Sequence, residues 1–417
     1  MIALIFAGAC LLLALGYIFY GRFLEKQYNI DSCRLTPAHY LRDDIDYIPT
    51  EPPILFGHHF SSIAGAVPIV GPIIAASAFG WLPPLLWLVF GAIFIGGVHD
   101  FSALVASIRH KARSIAELSR LYLSTTTYKL FLIFIWVALV YILIVFVDMT
   151  ATTFAPPTGA IADINVKNEI TRNGGVVATA SVGYIILAII FGLLIRLKKI
   201  NLKTGTKIFV PLVFATLWLA EYIPITSDIM PAVFGDSKNT WTILLILYCF
   251  TASLLPVWLL LQPRDYLSSF LLFGCVAVGG VGMVIASITG KVSLEYPAFI
   301  TFEDRTLGFI FPALFITVAC GAVSGFHSIV ASGTTAKQLP RECAAKPVAY
   351  GSMLVETALA LVALGSIMMA AKPQATPQIT FAGGMGTFLS MFGLPQSVGV
   401  TFALLAISTF LLTTLDT

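Results

Sequence analysis

The sequence predicts an all-α polytopic membrane protein with about eleven transmembrane helices. Three observations carry that reading. First, of the 417 residues 58% are hydrophobic and only 11% charged, against about 25% charged in an ordinary soluble domain. Second, apolar runs recur that reach the roughly 18 residues needed to cross a hydrocarbon core about 30 Å thick. Third, the basic residues divide sharply between alternate loops. The ten-residue alternation of a membrane β-barrel is not seen.

Hydropathy places the spans near 2–20, 55–79, 83–106, 129–147, 181–197, 208–224, 241–262, 266–289, 309–332, 347–371 and 388–415. The first could pass for a secretory signal. It lacks a basic start and a small-residue cleavage site, and Arg22 and Lys26 follow at once, so it reads as a retained helix. With loops assigned alternately, one side receives Arg22, Lys26, Arg34, Arg42, Arg109, Lys111, Arg113, Arg120, Lys198, Lys199, Lys203, Lys207, Arg264, Lys337, Arg341 and Lys346. The other keeps Lys167, Arg172, Lys238, Lys291, Arg305 and Lys372. The positive-inside rule makes the first side cytoplasmic and puts the N-terminus outside. The assignment includes a tight turn at 262–265 that carries Arg264 and Asp265.

The remaining composition excludes several classes. A net charge of +3 spread over loops does not suit nucleic acid. The cysteines at 10, 33, 249, 275, 320 and 343 form no CxxC and read as small apolar residues, with no disulfide framework and no zinc ribbon. No Walker motif is present, so ATP-driven transport is not expected. The chain reads as one transmembrane domain over 1–417. It stops at "TLDT", inside an apolar run without a basic flank, and is expected to continue beyond it.

Three segments depart from uniform apolarity. The second span opens "LFGHHFSSIAGAVPIVGP". Gly57, Ser61 and Gly65 share one face at i, i+4 and i+8, which lets another helix approach closely. His58 and His59 flank that face, and Ser62 adds a second hydroxyl. Pro68 and Pro72 then remove backbone donors and free carbonyls, predicting a mid-membrane break with exposed amides around Gly65, Pro68 and Gly71. The ninth span, "CGAVSGFHSIVASGTTAKQL", repeats serine at Ser324, Ser328 and Ser332, carries the pair Gly321 and Gly325, and sets His327 beside them, with Thr334 and Thr335 following. "GHHFSSIAG" and "GFHSIVASG" align His59 with His327. The third segment is "TASLLPVWLLLQPRDYLSSF", where Pro256 should kink the seventh span before Gln262, Arg264 and Asp265. Asp100, next to His99 in the third span, is a further candidate for proton exchange.

Each has a plainer reading. A lone serine in a bundle often glues helices together for about 1 kcal/mol, Asp100 can snorkel to the interface, and Arg264 with Asp265 can form a mutual pair. Paired histidines in lipid are costlier, and an ionisable residue there is first read as functional.

The motifs "LFGHHFSSIAGAVPIVGP", "GGVHDF", "LLQPRDYL" and "CGAVSGFHSIVASGTTAKQL" together resemble the carbon starvation protein A family of bacterial inner-membrane carriers linked to peptide and pyruvate uptake. The resemblance runs from about residue 2 to 417. It implies the amino acid-polyamine-organocation superfamily, whose core is a five-plus-five inverted repeat of the leucine-transporter type. The repeats would lie at about 55–224 and 241–417, the helix at 2–20 would be an addition, and the second and seventh spans would be discontinuous.

The expected function is a secondary active importer of peptides or pyruvate-like carboxylates coupled to H⁺ or Na⁺, not an enzyme, without metal or other cofactor, whose partners are the bilayer and a small-molecule substrate. Substrate contacts are expected at His58, His59, Gly65, Pro68, Gly71, Pro256, Gln262, Arg264, Asp265 and His327. Ion coupling is expected at Ser61, Ser62, Asp100, Ser328, Ser332, Thr334 and Thr335. The alternative is an intramembrane metal or haem protein using His58, His59, His99, His110 and His327, which lack the spacing of a known metal motif. A passive channel is a third reading, which cannot give saturable uptake against a gradient, so that measurement decides against it or for it.

Overall fold

A computed structural model describes residues 1–156, 164–232, 235–256, 258–371 and 376–416; Lys372, assigned above to an outer loop, lies outside them. Among the described residues the regular structure is helical apart from a hairpin of two-residue strands pairing Glu303 with Phe309 and Asp304 with Gly308. Its main helices are α1 (Ile2–Gln27), α2 (Pro52–Ile63), α3 (Val67–Phe79), α4 (Leu82–Arg109), α5 (Thr125–Phe154), α6 (Ile164–Arg196), α7 (Leu202–Ala220), α8 (Ser237–Leu254) and α9 (Leu261–Ile288). Then come three short helices, α10 (Ile310–Thr317), α11 (Ala319–Ala322) and α12 (Gly325–Val330), and finally α13 (Glu342–Met368), α14 (Pro377–Ser390) and α15 (Gln396–Asp416).

Among the described residues eight helices are long and apolar enough to cross a membrane, and the bent pair α2 and α3, with 41° between them, makes nine. That is two fewer than the eleven expected. The stretch 241–262 is represented by α8, which begins on the polar run Ser237–Thr240 and ends at Leu254. The stretch 309–332 is broken twice, at Val318 and at Val323–Ser324. Conversely, α14 occupies a region read as loop.

The second span breaks at 64–66, around Gly65 as expected, but ahead of its prolines, and Gly71 and Pro72 lie inside the following helix. Helix α2 stops at Ile63 and α3 starts at Val67 with Pro68 in its first turn, where a missing N–H costs nothing. The expected break in the seventh span is not found. Pro256 follows the end of α8 and lies in the connection to α9, since a proline terminates a helix when no packed continuation holds it. The second discontinuity belongs to the ninth span, where Gly321, Ser324 and Gly325 weaken the helix.

The bundle is layered around α13 and α15, whose apolar windows are 89% and 83% buried, while α5 and α7 are 11% and 18% buried and form the periphery. Helices α2, α3, α4, α9 and α12 pack between these layers. Antiparallel neighbours fix the two faces. The amide of Ala3 meets Ser287 at the end of α9, whereas Lys346 at the start of α13 pairs with Glu25 at 2.9 Å. The second face carries the basic loops, with one correction. Arg264 is not in a turn: it lies inside the first turns of α9 and is fully buried.

Candidate functional site

Two buried ionisable constellations flank the discontinuous helices. The first joins α2 to α9. His58 Nδ1 lies 2.6 Å from Asp265 Oδ2; because a carboxylate only accepts, Nδ1 carries the proton. The other oxygen, Oδ1, takes Arg264 Nη2 at 2.6 Å and Nε at 3.0 Å. Arg264 also donates to Tyr248 at 3.0 Å and to the Thr413 carbonyl at 3.3 Å, and Tyr184 donates to the Arg264 carbonyl. Ser62 Oγ sits 2.8 Å from the His58 carbonyl and 3.3 Å from Asp265 Oδ2. Ser61 and Ser268 both donate to the Asp265 carbonyl. His58, Arg264 and Asp265 have no solvent exposure, and the charges of Arg264 and Asp265 are tolerated there because each meets the other.

Small residues make this approach possible. A β-carbon at Gly57 would lie 3.0 Å from Ser269 Oγ, and one at Gly65 would lie 2.9 Å from Thr414 Oγ1. The helix that approaches the Gly57, Ser61 and Gly65 stripe is therefore α9 at its start and α15 at its end. His59, roughly 100° round the helix from His58, is the residue that reaches the ninth span, with Nδ1 2.9 Å from Thr335 Oγ1. Nε2 of both histidines is buried without a hydrogen-bond partner among the described residues.

The second constellation lies where α4, α11, α12 and α13 meet. Asp100 Oδ2 accepts from His327 Nδ1 at 2.8 Å and Oδ1 from His99 Nδ1 at 2.9 Å. On its other edge, His327 Nε2 is 3.4 Å from Glu356 Oε2 and 3.8 Å from Cys320 Sγ. Asp100 is fully buried, so it does not snorkel. Glu356 escaped the sequence reading, although its signal was there: it is the one acid within the run "SMLVETALALVALG".

The breaks meet the rest of the bundle through backbone. A β-carbon at Gly71 would sit 2.3 Å from the Thr317 carbonyl oxygen, and one at Gly96 2.1 Å from that of Ala322. Thr357 donates to the Gly321 carbonyl at 2.9 Å, and Pro68 packs near Gly321. Carbonyls freed in the ninth span are thus covered by protein, as a lipid environment demands. The α4 helix loosens into a π turn at Ala92–Gly96 just before His99, and Tyr350 donates to the Ile93 carbonyl at 3.1 Å.

Other expected site residues serve different partners. Ser332 Oγ takes the Ile115 amide at 2.9 Å and itself donates to the Ser328 carbonyl at 2.6 Å. Ser328 and Thr334 bond to carbonyls of their own helix, those of Gly325 and Val330. These hydroxyls do not converge into an oxygen cage. Gln262 bridges Thr50 at 3.0 Å and Gln338 at 2.6 Å. Pro256 is half-buried in the connection between α8 and α9, where its carbonyl accepts from the Leu259 amide. Nor do the five histidines of the metal reading converge: His58 and His327 serve separate carboxylates, and His110 bonds Tyr122 and the Ala106 carbonyl.

The chain was compared with known proteins. The family model described as carbon starvation protein CstA matches residues 1–373. The peptide transporter CstA of Helicobacter pylori strain 26695 is 36% identical over 373 residues, 87% of this chain and 50% of that protein. The peptide transporter CstA of Escherichia coli K12 is 37% identical over 374 residues, 87% of this chain and 49% of that protein. The pyruvate/proton symporter BtsT of the same strain is 35% identical over 356 residues, 84% of this chain and 46% of that protein. The chain thus spans about half the length of the curated relatives it matches. No solved structure matches.

Proposed function

The chain belongs to the carbon starvation protein CstA family, and from that premise we propose that it is the core of a proton-coupled importer of small carboxylate substrates, pyruvate-like acids or short peptides. It would lie in a bacterial inner membrane, with its basic loops inside and the N-terminus outside. One observation carries the reading: His58 is hydrogen-bonded to a buried carboxylate that already has a guanidinium partner, beside a broken helix. Arg264 and Asp265 balance each other. A proton on His58 therefore adds an uncompensated positive charge in a dry place, which a substrate carboxylate neutralises. Proton and anion then cross together, and releasing either one on the far side favours releasing the other.

Proton coupling is preferred to sodium because both constellations centre on a buried imidazole–carboxylate pair, whereas Ser328, Ser332 and Thr334 turn to backbone partners. The names of the relatives, a peptide transporter and a pyruvate/proton symporter, agree with this class of cargo. The discontinuous second and ninth spans supply the hinge positions at which such a carrier opens alternately to each side. The test is uptake of labelled pyruvate and of a labelled dipeptide into proteoliposomes, with pH and Na⁺ gradients imposed separately. A pH gradient alone is expected to drive accumulation that an uncoupler abolishes. Accumulation driven only by Na⁺ overturns the coupling, and equilibration without accumulation overturns the carrier.

A further inference from the structure

We propose that Cys320, His327 and Glu356 form a three-ligand site for a divalent metal ion of the zinc class, buried beside the break in the second span. The inference does not depend on the substrate or on the coupling ion. Sγ of Cys320, Nε2 of His327 and a Glu356 oxygen all lie within 4.8 Å of one another. The two measured edges are 3.8 Å from sulfur to nitrogen and 3.4 Å from nitrogen to oxygen. Zinc bonds of about 2.0–2.1 Å to nitrogen, 2.0–2.2 Å to oxygen and 2.3 Å to sulfur, at tetrahedral angles, require edges of about 3.6 Å and 3.4 Å. These two edges already stand nearly at those separations, and the third, from sulfur to oxygen, is within 4.8 Å.

Two further features point to an ion. Asp100 accepts the Nδ1 proton of His327 at 2.8 Å, which leaves the Nε2 lone pair facing Cys320 and Glu356. This carboxylate–histidine arrangement is the usual outer support of a metal-bound imidazole. Glu356 is fully buried, and its carboxyl faces His327 Nε2 at 3.4 Å and the Cys320 thiol. A carboxyl, an imidazole nitrogen and a thiol brought together in the most buried helix of the bundle are the donor types a zinc-class ion takes, and a shared cation satisfies all three at once.

Charge and protons balance. Binding breaks the Cys320 S–H bond and forms a sulfur–metal bond, with the proton released to solvent. Thiolate and carboxylate together neutralise the dication, so the loaded site is neutral in a dry interior. The Ile63 carbonyl, the last of α2, lies 3.8 Å from Cys320 Sγ, so the ion would sit against the gap between α2 and α3.

The test uses the full chain purified without a polyhistidine tag. One equivalent of zinc by mass spectrometry is expected. After exchange, Co²⁺ should give the visible bands of a tetrahedral site and a near-ultraviolet thiolate-to-cobalt band. Cys320→Ser should remove the thiolate band while keeping a weaker visible spectrum, and Asp100→Asn should lower affinity about 10–100-fold. Absence of any cobalt spectrum in folded wild-type protein at excess Co²⁺ overturns the proposal. So does a thiolate band that survives Cys320→Ser, which would assign the ion to another cysteine. Monodispersity and thermal unfolding of each variant separate loss of ligand from loss of fold.

Discussion

His58 and Asp265 lie 207 residues apart in the chain and 2.6 Å apart in space, with neither exposed to solvent. Their bond ties the helix that precedes the first break to the opening turns of α9. It also makes one carboxylate the meeting point of an imidazole, a guanidinium and the Ser62 hydroxyl.

His58→Gln keeps a side-chain donor near Asp265 but removes the group that takes and gives a proton. Accumulation driven by a pH gradient should fall at least tenfold, whereas exchange of internal for external substrate should persist. Proteoliposome uptake and counterflow measured side by side check this; accumulation at the wild-type level would remove His58 from the coupling step.

Arg264→Leu leaves Asp265 buried without its guanidinium, and an uncompensated buried charge costs about 3–5 kcal/mol. The double variant Arg264→Leu, Asp265→Leu removes both charges and should recover most of that loss, though not transport. Thermal unfolding in detergent reads the difference. A double variant as unstable as the single one would mean that the pair contributes by packing instead of by charge.

Gly71→Ala and Gly96→Ala each drive a methyl group into a backbone oxygen, at 2.3 Å on Thr317 and 2.1 Å on Ala322. Backbone cannot yield as a flexible side chain can, so both should lower stability and transport well beyond Gly8→Ala, whose β-carbon meets nothing within 4 Å. Melting temperature and uptake of the three variants decide it, with equal behaviour counting against a packed contact at the second break.

Glu342 is 1% exposed and accepts from Arg34 at 2.8 Å, Arg109 at 2.9 Å and the Asp31 amide at 2.8 Å. Thr36, which donates to the Leu339 carbonyl, and Lys337, paired with Asp46, hold the same loop to the segment between α12 and α13. Glu342→Ala should release it, speeding trypsin cleavage at Arg34 and Arg42 several-fold; an unchanged rate would show that the neighbouring contacts suffice.

Ser332→Ala removes the acceptor for the Ile115 amide at the start of the short helix Ile115–Tyr122. The expected cost is about 1 kcal/mol of stability, with coupled uptake largely kept. Loss of uptake at normal stability would return Ser332 to the ion path.

Much was legible in the chain because the bilayer imposes strong local rules. Apolar runs, the alternation of basic loops and the proline pair after His58-His59 determined the membrane class, the family resemblance and the first break, each of which depends only on residues close in sequence. What sequence could not place was any feature whose cost is met by a distant partner. Hydropathy assigns Arg264 and Asp265 to an interface, because alone they are expensive in lipid; only the packing of α9 against α2 and α15 supplies the histidine, the carbonyl and the helical walls that let them be buried. The same holds for the break in the ninth span, whose freed carbonyls are covered by glycine faces of α3 and α4, and for Glu356, a lone acid in an apolar run until folding brings His327 and Cys320 beside it.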